Sequence, residues 1–129
     1  MRWISRILSV FLFGIIWAAS SWSAPPSIAT QGLSVPYHCI SFGLLGFFLR
    51  NALAPRYEAR WQVSLLLLFL VLLGGTDEIH QSYVPGRDSS LEDWAVDSIA
   101  SFFGVMGPFI LSSMPMFRRQ RLVHAKRDA

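Results

Sequence analysis

The segment Thr76-Asp-Glu-Ile-His-Gln-Ser-Tyr-Val-Pro-Gly-Arg87 places two acids, a histidine, a glutamine and an arginine directly after a leucine-rich run. Residues of these types can do three kinds of chemistry. Clustered acids can hold Mg2+, with water and a substrate phosphate completing the shell. One acid of a crowded pair can serve as general acid or base. Alternatively, Arg87 and the acids form a structural lock, because membrane helices use polar residues as interhelical glue. Asp93 and Asp97 follow at a spacing of four, as do Asp77 and Gln81, so each pair shares a helix face, with Glu78 beside the second. Two facing helices can thus aim four carboxylates into one pocket. Asp77 and Glu78 are the candidate catalytic acids, Asp93 and Asp97 the candidate Mg2+ ligands. Arg87 can pair with a carboxylate or hold a phosphate. His38, at the head of another apolar segment, can reach the same pocket. His80 reads either as a proton shuttle or as an interfacial histidine without a chemical role.

These residues need elements to position them. Residues 63–75 carry no charge, and a helix begun at Trp61 needs about 20 residues to cross a hydrocarbon core of roughly 30 Å, which takes it to His80. Asp77 and Glu78 then lie inside the membrane or at its edge, where an ionised carboxylate is costly unless paired or wetted. Apolar segments of similar length cover about 3–22, 36–53, 61–80 and 94–114. The expected fold is all-α: a single domain, an integral membrane bundle of four transmembrane helices. A composition 53% hydrophobic and only 15% charged leaves too little polar surface for a small soluble protein, so a membrane class is expected.

All of the eleven basic residues except Arg87 fall on one side of this arrangement, before the first span, between the second and third, or after the fourth. The positive-inside rule then puts both termini in the cytoplasm, with two outer loops. Asp77, Glu78, Asp88, Glu92, Asp93 and Asp97 all gather at the second outer loop, where Pro85-Gly86 is a turn pair. Trp3, Trp17, Trp22, Trp61 and Trp94 lie near span ends, as interfacial anchors do. Gly43, Gly46, Gly104 and Gly107 permit close helix approach. Pro108 should kink or loosen the fourth helix, which ends before Pro115. Cys39, the single cysteine, has no disulfide partner in the chain and reads as a small packing residue. A rival organisation exists: Arg2, Arg6, an apolar core and the Ala/Ser-rich residues 18–24 also fit a signal peptide, whose cleavage would leave three spans.

Asp77-Glu78-Ile-His-Gln81, then Pro85-Gly-Arg87, then Asp93-Trp-Ala-Val-Asp97-Ser-Ile-Ala100 and Gly104 resemble the signature of the VanZ-like family of small membrane proteins. The serine-rich exit from the first span and His38 opening the second are similar to the family layout. Three positions depart from it: Asp97 stands where the family has Asn, Ala100 where it has Gly, and Val35 where a Lys is frequent. The resemblance implies a multi-pass protein of the bacterial cytoplasmic membrane acting in the cell envelope. The name-giving member is associated with resistance to the glycopeptide teicoplanin, so a resistance-related role is also among its implications.

Two functions follow as expectations. In one, a non-enzymatic protein binds a lipid-linked cell-wall precursor, or another membrane protein, at its acidic and arginine-bearing pocket. In the other, a membrane enzyme acts on a lipid or polyprenyl phosphate by acid–base or Mg2+ chemistry. An ion or proton transporter is disfavoured because the acids are confined to one half of the membrane. Nucleic acid is not an expected partner. The basic tail 117–129 follows a span directly, and contact with the anionic headgroups of the bilayer accounts for it.

Overall fold

A computed structural model describes residues 2–23, 34–53 and 60–113. The basic tail, Arg56, Pro115 and most of the expected first outer loop lie outside the described residues. The described chain is all-α, with no strand: α1 (Arg2–Ser20), α2 (Ser34–Ala52), α3 (Arg60–Gln81) and α4 (Leu91–Ser113). Each helix falls on one of the four apolar segments. Pro36 sits in the first turn of α2, where its missing N–H costs nothing, whereas Pro108 lies inside α4, which continues to Ser113.

The α3–α4 connection is a tight reversal. Arg87 N–H donates to the Val84 carbonyl (3.1 Å), and Gly86 has φ 80°, so Val84–Arg87 has the form of a type II turn with Pro85 and Gly86 at its centre. Ser90 then caps α4, its Oγ accepting from the Glu92 and Asp93 amides at 3.2 and 3.3 Å. Glu92 and Asp93 in that first turn also complement the helix dipole.

Helix α2 packs most extensively against α4, α1 leans on α2, and α3 lies along α4. The α2–α4 seam is made of small residues. A Cβ at Gly46 would come within 2.8 Å of the Ser101 carbonyl oxygen, and one at Gly104 would overlap the Gly43 carbonyl oxygen. The buried apolar core is small: Ile16, Phe42, Leu45, Leu70, Ala100 and Val105.

Among the described residues two helices, Arg2–Ser20 and Trp61–Gln81, are long and apolar enough to cross a membrane, each with a mean hydropathy of 1.7. Only 17% and 22% of these stretches are buried within the bundle. Large apolar side chains including Val10, Phe11, Leu65, Leu68, Phe69 and Leu72 instead face outward. Helices α2 and α4 carry more polar residues, His38, Arg50 and Asn51 in α2 and Glu92, Asp93 and Asp97 in α4.

Candidate functional site

The start of α2, the end of α3 and the start of α4 meet at one end of the bundle, and all the expected site residues except Arg87 meet there. His38 is the hub. Its ring is 1% exposed, and Nδ1 lies 2.9 Å from Oδ1 of Asp97, itself fully buried. The opposite ring nitrogen, Nε2, faces Oδ2 of Asp93 at 3.9 Å. The four-residue interval between Asp93 and Asp97 thus places one carboxylate at each edge of a single imidazole. Since a carboxylate only accepts, the 2.9 Å contact assigns the Nδ1 proton to the ring and leaves Nε2 with its lone pair in the neutral form.

The other partners hold the acids in place. Ser34 Oγ donates to Asp93 Oδ2 at 2.9 Å, and the Ser90 amide donates to Glu78 Oε2 at 2.7 Å. Gln81 Nε2 donates to Asp77 Oδ2 at 2.8 Å, one helical turn apart on α3. Asp77, Glu78, Gln81, His38 and Asp97 are all buried. Among the described residues three of these carboxylate oxygens nevertheless have no hydrogen-bond partner: Asp77 Oδ1, Glu78 Oε1 and Asp97 Oδ2. Buried oxygens of this kind are costly to leave unsatisfied, so they mark a region built for more than packing.

Glycines admit the acids. A Cβ at Gly74 would stand 3.2 Å from Cβ and 3.4 Å from Oδ2 of Asp97, and one at Gly75 would stand 3.5 Å from the Trp94 indole nitrogen. Residues 74 and 75 therefore let the first turns of α4 lie close against α3. Trp94 Nε1 then donates to the Val71 carbonyl at 2.9 Å, which pins the two helices together.

Arg87, for which pairing with a carboxylate was one of the expected roles, stands apart from the acids. Its Nη2 donates to the Ala19 carbonyl (2.8 Å) and its Nε to the Trp22 carbonyl (3.3 Å), so it caps the C-terminal end of α1. Among the described residues no lysine or arginine forms an ion pair with the four acids; the ion pairs found there are those of His38 with Asp93 and Asp97. His80 also joins α1: its ring stacks on Trp17 with centroids 4.3 Å apart, and Nε2 lies 2.9 Å from Ser21 Oγ.

Sequence reasoning missed Ser34, Tyr37, Ser90 and the second role of Trp94. Ser34 precedes His38 by four residues and so shares its face, a signal present in the sequence. Ser90 three residues before Asp93 is a readable cap pattern. Tyr37 stands edge-on to His38 at 5.4 Å, with a buried hydroxyl that has no hydrogen-bond partner among the described residues. Trp94, read as an interfacial anchor, also serves as an interhelical donor.

An open apolar groove of about 600 Å³ lies between α2 and α4. It begins at Val35 and Val96, neighbours in sequence of Ser34 and Asp97, and passes Phe47 and Phe103 to Gly107. Cys39, expected as a packing residue, is exposed on this groove. The chain matches no protein-family model, and no match was found among curated proteins or solved structures.

Proposed function

We propose that the chain is a VanZ-like protein of the bacterial cytoplasmic membrane that crosses the bilayer four times. Its buried polar cluster faces the cell exterior and receives the polar head of a lipid-linked cell-wall precursor. The observation that carries this reading is the convergence of His38, Asp77, Glu78, Asp93 and Asp97 from three helices whose outer faces are apolar. Ionisable groups within such a bundle are functional by default. The apolar groove between α2 and α4, which opens at residues next in sequence to Ser34 and Asp97, suits the hydrocarbon chain of a ligand whose head lies at the cluster. The contacts of Arg87, His80 and the buried Ser9, Ile16 and Ser20 tie α1 to the bundle, which favours a retained span over a cleaved leader. Asp97, standing where the family pattern has Asn, is the acceptor for His38.

A second reading, an enzyme acting on a lipid or polyprenyl phosphate, is favoured by the His38–Asp97 pair. A carboxylate holding one ring nitrogen while the other faces acids is an arrangement suited to acid–base work. Membranes from cells expressing wild type or Glu78→Gln at matched abundance test both. The lipids that copurify and the total wall precursors would be compared by mass spectrometry. A precursor enriched unaltered on the wild type and absent from the variant supports binding. A new product made only by the wild type supports catalysis. Identical profiles in both measurements would overturn both.

A further inference from the structure

We infer that His38, Glu78 and Asp93 form a three-ligand site for a divalent transition-metal cation, with Zn2+ the fitting probe. One ligand atom from each residue lies within 4.8 Å of the others. His38 and Glu78 are buried, and Asp93 is 16% exposed. Zn–N and Zn–O bonds of about 2.0–2.1 Å in a tetrahedron separate ligand atoms by roughly 3.3 Å. The 3.9 Å between His38 Nε2 and Asp93 Oδ2 is already near that spacing, and small side-chain rotations close the set.

Each ligand has the outer partner that metal ligands commonly have. Asp97 accepts from His38 Nδ1 and so turns the Nε2 lone pair toward the two carboxylates. Ser34 orients Asp93, and the Ser90 amide orients Glu78. Glu78 is 6% exposed, yet its Oε1 has no hydrogen-bond partner among the described residues. Charge points the same way: Arg87 is engaged with carbonyls, and a divalent cation would offset the acids that no described lysine or arginine pairs.

The donor set decides the class of metal. Two carboxylates alone would suit Mg2+, but an imidazole nitrogen favours zinc and its first-row neighbours. Asp97, a candidate ligand from its spacing, is the orienting group instead. Three protein ligands leave a fourth position for water or for an oxygen of a bound molecule. The site rests on side-chain geometry and does not depend on the ligand or membrane topology proposed above.

The test uses the full chain, purified in detergent, stripped with a chelator and titrated with Zn2+ alone. One tightly held zinc per chain is expected by elemental analysis. Affinity should fall at least a hundredfold in Glu78→Gln and in His38→Gln, and should stay within twofold in His80→Gln. X-ray absorption of the wild-type zinc complex, which needs no variant to fold, should show one imidazole and oxygen ligands. Absence of stoichiometric zinc, zinc retained equally by Glu78→Gln and His38→Gln, or a shell of two or more imidazoles would each overturn the site. Loss of the lipid effect with the zinc site intact would refute the proposed ligand and leave the metal site standing.

Discussion

The polar end of the bundle and the α2–α4 seam below it are held together by opposite means. At the polar end, long side chains reach between helices: His38 to Asp97, Glu78 to the Ser90 amide and Trp94 to Val71. Along the seam the closest approaches are made by glycines, and Gly46 and Gly104 bring backbone against backbone. The two are linked. His38 and Asp97 meet at 2.9 Å because α2 and α4 approach closely only a few residues further along. A helix pair separated by ordinary leucine–leucine contact, at about 8–10 Å between axes, would have less chance of closing such a short bond. The small residues set the distance and the polar residues use it.

Breaking the seam should therefore have the largest effect. The atoms that a Cβ at Gly104 would meet are the carbonyl oxygen and carbon of Gly43 and the Phe47 amide nitrogen, all backbone, so the helices must part. Gly104→Leu should destabilise by about 3 kcal/mol or more, the upper end of overpacking costs. Thermal unfolding in detergent reads this, and wild-type stability in that variant would show that the seam does not fix the helix spacing.

Breaking the polar end should cost less. Asp97→Ala leaves a buried imidazole N–H without its acceptor, a loss of about 1–3 kcal/mol. A double-mutant cycle with His38→Ala isolates the pair itself, for which about 0.6–1.7 kcal/mol is the range for interhelical hydrogen bonds in membrane proteins. A coupling indistinguishable from zero would mean that His38 and Asp97 do not share a bond in the folded protein.

The smallest effect sharpens the contrast by reversing its sign. Gly107 lies one turn beyond Gly104 on the same helix, yet a Cβ there meets nothing within 4 Å. Gly107→Ala should stabilise the protein by up to about 0.5–1 kcal/mol through helix propensity. If Gly104→Ala and Gly107→Ala moved the unfolding midpoint alike, steric closure of the seam would be the wrong account.

Much of the architecture is legible in the sequence. Runs of apolar residues mark all four helices, Pro85-Gly86 marks the turn, and the spacing of Asp77 with Gln81 and of Asp93 with Asp97 marks shared faces. The part that was not legible concerns partners across helices. Arg87 stands between the two pairs of acids, nine residues after Glu78 and six before Asp93, where it could pair with a carboxylate or hold a phosphate. In the structure its side chain reaches the carbonyl ends of α1 instead. Cys39 faces the groove although its segment is apolar throughout, because the α2 pattern alone does not tell which apolar face is covered.

The sequence by itself determined the helical class, the positions of the helices and the identity of the polar residues that gather near one turn. Periodicity and the cost of charge beside apolar runs are local properties, and they are written residue by residue. Only the tertiary structure decided that His38 joins that group, that Asp97 orients it and that Glu78 and Asp93 stand at its free edge. Those relations depend on how closely α2, α3 and α4 approach, and the approach is set by glycines whose effect is felt only when a neighbouring helix lies against them.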